Sequence, residues 1–235
     1  MPHDLARLRP TFRLRDGVPG RSTPRDYSVA NLPADGELRL LVRRQVDASG
    51  RLGTVSGWLT GGDAEHPLRV GDTVALRLRS HRGFQLAVGV QTPLVLIGNG
   101  SGLAGLRAHL QQRAVAVAAS GQPAPARCAW LLFGERSRAH DTLLADELGA
   151  WQASGVISHL DRVYSRDTPA APYVQHRLRL EAERLRDWVA AGACILVCGS
   201  LAGMGQAVNE AMREILGEDA VNSLTRSGRI RRDLY

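Results

Sequence analysis

Three short clusters in this chain of 235 residues have the types and spacing that handle phosphorylated ligands. The first is the glycine run Gly98-Asn99-Gly100-Ser101-Gly102, set between an apolar stretch (93–97) and an amphipathic segment that carries Arg107 and His109. A strand, a glycine loop and a helix together cradle a pyrophosphate: glycine lets the backbone approach the anion, and the helix N-terminus offers unpaired N–H groups at the positive end of its dipole. The spacing is not a clean dinucleotide fingerprint, because Leu103 and Ala104 fill the sixth and seventh places and no acidic residue follows about 20 positions on to hold a ribose hydroxyl. A strand-to-helix turn with no ligand is the other reading of these residues. The second cluster is Ser165-Arg166, which offers a terminal phosphate a hydroxyl and a charge-assisted fork, or is a solvated loop. The third is Cys198-Gly199-Ser200, whose thiol is either reactive or a buried small hydrophobe.

The elements that must position these clusters alternate. Strands are expected at 93–97, 129–133, 157–164 and 193–197, each followed by a helix, at 103–118, 141–152, 174–190 and 204–216. Alternation of this kind gives a parallel sheet covered by helices on both faces. Ligands of such sheets sit at the carboxyl ends of the strands. The loops there are Gly98–Gly102 in the first unit, Gly134-Glu135-Arg136, Ser165-Arg166 and Cys198-Gly199-Ser200.

The first 90 residues read differently. Residues 37–45 and 73–79 alternate apolar and polar, as half-buried strands do, and Phe12, Leu14 and Val18 suit one irregular strand. Residues 53–59 run from a loop into a short helix. Short strands between turn signals indicate a barrel or sandwich. The expected fold is therefore an antiparallel β domain over 1–90, followed by an α/β domain over 91–235, with the boundary near 88–91. The final segment (224–235) is basic and ends on the aromatic Tyr235, which by itself reads as a frayed terminus.

Composition narrows the class. The net charge is +7, and all the basic residues are arginine, which fits a GC-rich genome and attracts acidic or phosphorylated ligands. Aromatics make up 5% of the chain and the arginines are scattered without a recognised nucleic-acid motif, so nucleic acid is not an expected partner. Three cysteines, Cys128, Cys194 and Cys198, lack metal spacing and suit a reduced, cytoplasmic setting. No apolar run reaches the roughly 18 residues of a membrane span, and the N-terminus has no secretory h-region.

Taken in order, the motifs resemble those of the ferredoxin-NADP reductase superfamily. Arg25-Asp26-Tyr27-Ser28 matches its RxYS flavin motif, and Gly53-Thr54-Val55-Ser56-Gly57-Trp58-Leu59 is similar to its second flavin motif. Gly98-Asn99-Gly100-Ser101-Gly102 resembles its nucleotide loop. Ser165-Arg166-Asp167 with Tyr173-Val174-Gln175, Cys198-Gly199-Ser200 with Met204, and Gly228-Arg229-Ile230-Arg231-Arg232-Asp233-Leu234-Tyr235 are similar to the corresponding segments of the diflavin reductases. The resemblance is nearest to the FAD/NADPH module of the sulfite reductase flavoprotein subunit and its relatives, and it runs from Arg25 to Tyr235.

The resemblance implies an FAD-binding β-barrel followed by a Rossmann-like NADP-binding domain. It implies an NADPH-dependent reductase that passes a hydride to FAD and then electrons to a carrier. That carrier would be an FMN or flavodoxin-type domain, a sulfite reductase haemoprotein or a membrane redox partner. By resemblance Arg25 would hold FAD phosphates, Tyr27 would pack on one flavin face, and Ser28 would bond near flavin N5. Gly53, Val55 and Ser56 would meet the FAD pyrophosphate. Gly100, Ser101 and Arg136 would line the nucleotide site, Ser165 and Arg166 would read the 2′-phosphate of NADPH, and Tyr173 and Gln175 would lie near its adenosine. Cys198 and Asp233 would stand by the nicotinamide, and Tyr235 would cover the second flavin face.

Three departures qualify these expectations. Asn31 stands where the RxYS motif usually continues with a small serine. Ala171 stands where the relatives often place a phosphate-binding lysine. Only 24 residues precede Arg25, fewer than the family's preceding barrel strands need, so an N-terminally shortened module is expected, with a non-catalytic nucleotide-binding remnant as the alternative.

Overall fold

The computed structural model describes residues 6–10 as backbone alone, together with 25–62, 68–74, 76–167, 170 and 172–235. The expected strand at Phe12, Leu14 and Val18 and the departure at Ala171 lie outside the described residues.

Five parallel strands form the larger sheet in the order β6-β5-β4-β7-β8: β4 (Leu94–Asn99), β5 (Ala129–Glu135), β6 (His159–Tyr164), β7 (Cys194–Gly199) and β8 (Ile230–Leu234). Their apolar runs divide by parity between two cores. Val95, Ile97, Trp130, Leu132, Ile195 and Val197 face one side. Leu94, Leu96, Leu131, Phe133, Leu196 and Cys198 face the other. The first face is covered by α4 (Val174–Leu180), α5 (Ala182–Ala190), α6 (Gln206–Leu216) and α7 (Glu218–Arg226), through residues such as Leu178, Leu185, Val208 and Leu224. The second is covered by α2 (Leu103–Ser120) and α3 (Ala145–Ala153), with Phe84 and Leu86 beneath them. Burial on both faces is why the strands read as continuous apolar runs.

A smaller antiparallel sheet has the order β2-β1-β3, from β1 (Ala6–Pro10), β2 (Tyr27–Ser28) and β3 (Leu76–Ser80). The short helix α1 (Thr54–Leu59) follows Gly53 as the sequence suggests.

Several expected elements are corrected. Residues 37–45 alternate but carry one isolated bridge, Leu40 to Val29, rather than a ladder. The segment instead bonds locally, Arg39 N donating to Asn31 Oδ1 at 2.8 Å, and leans Leu41 on the second core. The helix expected over 141–152 begins at Ala145, because the Asp141 carboxylate is occupied as a turn acceptor for the N–H groups of Arg136 (3.2 Å) and Ser137 (3.0 Å). The helix expected over 174–190 is broken at Glu181 (φ −100°, ψ 26°), a bend that lets both Leu178 and Leu185 reach the core. The helix expected from Met204 starts at Gln206, after an irregular turn at Leu201–Gly205. The terminal segment is not frayed: β8 is an in-register strand beside β7, and Tyr235 N donates to Gly199 O at 3.1 Å.

Helix α2 fastens the two sheets together. Buried Arg107 forks onto Glu147 at 2.7 and 2.5 Å and donates to Ala30 O at 2.5 Å, just past β2. Arg113 caps three carbonyls of the connecting segment, those of Gly89, Val90 and Thr92. His109 Nε2 lies 3.1 Å from Phe84 O, and burial lowers its pKa from 6.5 to about 4. The folded chain thus keeps His109 neutral at pH values where the unfolded chain protonates it. Its contribution is whole above pH 6.5, declines as the pH falls toward 4, and amounts to about 3 kcal/mol across that window. Urea unfolding across this range is expected to show the decline, and His109→Gln to flatten it; equal slopes for the two proteins would rule it out.

Candidate functional site

A cleft of about 840 Å³ opens where β4, β5, β6 and β7 end. That volume suits a nucleotide. Of the residues singled out from sequence, Gly100, Ser101, Arg136, Ser165, Tyr173, Gln175 and Tyr235 line it. Arg166 stands exposed beside Ser165, and its N–H donates to Arg136 O at 2.8 Å, so the second and third crossover loops are bonded together.

The glycines here serve packing as well as ligand access. At Gly102 a Cβ would lie 2.2 Å from Cys198 O, so only glycine lets the start of α2 approach the end of β7. Gly199 (φ 142°) faces Asn99 Oδ1, which also accepts from Ser200 N at 3.2 Å. The loops after β4 and β7 are thereby locked to one another. Ser101 Oγ and the Tyr235 hydroxyl lie 3.0 Å apart, while Leu201 N donates to Tyr235 O. Both main-chain groups of Tyr235 are held, so displacement of this residue is a rotation of its ring.

Charge in the cleft favours an anion. Arg43 and Arg136 line it. Among the described residues one acidic residue lines it, Glu135, whose fully buried side chain pairs with Arg162 at 2.5 Å. Burial pushes the Glu135 carboxyl up, and Arg162 draws it back. Gln175 Oε1, buried in the same wall, has no hydrogen-bond partner among the described residues.

Beside the cleft, two residues from Ser200 and two from Tyr235, a second cluster forms. Ser28 Oγ donates to Asp233 Oδ2 at 2.7 Å, across 205 positions of sequence. The Cys198 thiol lies 3.7 Å from the same oxygen. Asp233 is 2% exposed and Cys198 fully buried. All three were singled out from sequence, and they come together. Tyr27, beside Ser28, is half-buried, and burial raises its phenol pKa, partly offset by Arg25.

Residues of the second flavin-like motif lie apart from this cluster, around α1. Ser56 Oγ accepts from Gln45 N at 3.0 Å, so that hydroxyl already holds the motif together, and a Cβ on Gly53 would meet it at 2.9 Å. Val55 is buried and Arg25 exposed. Sequence reasoning passed over Arg43, hidden in a stretch read as a strand, and His81, whose Nδ1 is 3.4 Å from Asp233 Oδ1. No sequence signal marked His81.

A parallel sheet with a glycine crossover loop and an arginine-lined cleft at its carboxyl edge is the geometry of a Rossmann-like nucleotide-binding domain. Residues 96–210 match the family described as Oxidoreductase NAD-binding domain. Over most of its length the chain is homologous to the flavoprotein alpha-components of NADPH sulfite reductases. It is 32% identical over 230 residues to that of Vibrio cholerae serotype O1, covering 92% of this chain and 36% of the relative. It is 30% identical over 228 residues to that of Yersinia pestis, covering 91% and 36%, and 30% identical over 228 residues to that of Yersinia pseudotuberculosis serotype O:1b, covering 91% and 35%. The chain therefore spans about a third of the length of the curated relatives it matches. Among the described residues no helix is long and apolar enough to cross a membrane, and no group of His, Cys, Asp and Glu residues could hold a metal ion.

Proposed function

We propose that this chain is the FAD- and NADPH-binding part of a flavoprotein reductase, with residues 1–90 as the FAD-binding barrel domain and 91–235 as the NADP-binding domain. It takes a hydride from NADPH and passes electrons to a carrier, an FMN or flavodoxin-type protein or domain, a sulfite reductase haemoprotein or a membrane redox partner. The observation that carries this reading is the convergence of Ser28, Cys198 and Asp233 beside a nucleotide-sized cleft.

The residues present fit both groups. For NADPH, the cleft offers Arg43 and Arg136 to the phosphates and lies against Gln175, which would stand near the adenosine. Ser165 and Arg166 bind the 2′-phosphate, Gly100 and Ser101 the pyrophosphate, and Tyr173 the adenosine. For FAD, a hydroxyl, a carboxylate and a thiol meet at one point next to Tyr27, groups that would hydrogen-bond to and orient the reactive edge of a flavin. Arg25 and the backbone of Gly53, Val55 and Ser56 hold its phosphates. When bound, FAD accepts the hydride pair and releases electrons singly. Asp233 supplies negative charge where the nicotinamide turns cationic, and Ser28 and Cys198 orient that carboxylate and the ring. Tyr235 would cover the bound flavin, and rotation of the tyrosine ring would uncover it.

The test is an absorbance spectrum after adding FAD and desalting, followed by anaerobic NADPH. Retained yellow absorbance that NADPH bleaches is the expected result. Retention without bleaching would refute the hydride step, and no retention would refute the FAD site. Loss of two charge-assisted or hydroxyl contacts in the double variant Ser165→Ala, Arg166→Ala should lower the preference for NADPH over NADH by about 10- to 100-fold. Initial rates with the two nucleotides measure it; an unchanged ratio would remove the 2′-phosphate role.

A further inference from the structure

The proposed chemistry uses one oxygen of Asp233 and leaves a neighbour of the other without a role. Ser28 and Cys198 both face Oδ2. Oδ1 faces His81 Nδ1 at 3.4 Å. His81 follows β3, where the chain crosses from the antiparallel sheet toward the parallel one. Its ring lies nearly parallel to that of Phe84, with centroids 5.9 Å apart and planes at 13°. Phe84 is 1% exposed and is held edge-on by His109 at 5.2 Å. Packing therefore orients the imidazole, although 28% of the His81 side chain stays exposed against 3% of Asp233.

A carboxylate this deeply buried is costly to keep ionised without donors or a cation. Ser28 is a neutral donor and the Cys198 thiol a weak one. An imidazole adds an N–H and, when protonated, a positive charge. It also acts on geometry. Its contact with Oδ1 helps to fix the plane of the carboxylate.

We propose that His81 is a positioning residue, holding Asp233 Oδ1 so that Oδ2 remains aimed at Ser28 and Cys198. It acts through Asp233 and touches no reacting atom. The inference rests on the reductase reading above and extends it to a residue outside every motif of this chain. Because His81 and Phe84 lie on the segment joining the two sheets and His109 holds Phe84 from α2, the alignment of the site depends on how that segment packs on α2.

Two measurements on the full chain test it. With ¹⁵N-labelled histidine, Asp233→Asn is expected to move the ring-nitrogen resonances of His81 and leave those of His159 and His176 in place. His81→Ala is expected to slow flavin bleaching at saturating NADPH by about tenfold, with NADPH affinity within about twofold of the parent, since small misplacements of an acting group are costly. His81→Gln, which keeps a donor, is expected to recover most of that loss. A His81 resonance indifferent to Asp233→Asn would overturn the inference, as would an alanine variant as fast as the parent or a glutamine variant as slow as alanine. A parent chain that binds FAD but is never bleached would overturn the reductase reading and the kinetic role with it, while the nitrogen spectrum would still report whether the pair exists.

Discussion

Asp233→Asn is expected to slow the bleaching of bound FAD by NADPH about 100-fold or more, with retention of FAD and NADP affinity nearly unchanged. The substitution keeps shape and removes charge. Asp233 is 2% exposed, so its charge acts in a poorly screened site where a developing cation feels it strongly. Ser28 Oγ, at 2.7 Å, keeps a carbonyl acceptor in the variant, so the fold has little reason to change. Rapid-mixing absorbance measures the rate, and equilibrium titration with NADP measures binding. An unchanged rate would take Asp233 out of the chemistry. A lost affinity with an unchanged rate would make it a binding residue. Ser28→Ala, combined with Asp233→Asn, is expected to cost less than the product of the single effects, because the two groups act as a unit.

Gly102→Ala is expected to cost about 3 kcal/mol or more of stability, or to prevent folding. The added carbon would stand 2.2 Å from Cys198 O, 2.6 Å from Cys198 C and 2.8 Å from Gly199 Cα. All three are backbone atoms, so no side chain can turn aside to relieve the clash. Gly149→Ala is the control: it lies on the exposed side of α3 with nothing within 4 Å of the new carbon, and should stabilise by up to about 1 kcal/mol. Thermal and urea unfolding of both variants without added cofactor separate packing from ligand binding. A Gly102→Ala protein as stable as its parent would mean that β7 does not approach α2 so closely. The expected loss shows that a glycine loop of this kind is demanded by the crossing of two backbones, whatever it binds.

How much of this was legible in the sequence follows from how local each feature is. Parallel strands buried on both faces announce themselves as apolar runs of five or six residues, and the alternation of strand and helix then constrains the sheet. The glycine loop, the Ser165-Arg166 pair and the short helix after Gly53 are contiguous motifs and read directly. Ser28, Cys198 and Asp233 were identified by the company each keeps in its own segment. Residues 37–45 alternate like a strand, yet a strand needs a partner along its length, and their hydrogen bonds go mainly to neighbouring turns. The segment 174–190 keeps helical periodicity through Glu181, and the bend there answers to the sheet beneath it. The basic terminal segment gave no sign of being β8, because a strand of mixed polarity is stabilised by the ladder it joins rather than by its own pattern.

Tertiary structure alone decided which groups meet. Sequence supplied a serine at 28 and a carboxylate at 233 but no measure of the distance between them; the 2.7 Å contact exists because α2 clamps the Ala30 carbonyl with Arg107 and the Phe84 carbonyl with His109. The same clamp brings His81 to the other oxygen of that carboxylate, at a position no motif marks. Local sequence determines element type because hydrogen bonding and side-chain period act over a few residues. A site built from both sheets depends on the packing between them, which no single stretch of the chain encodes.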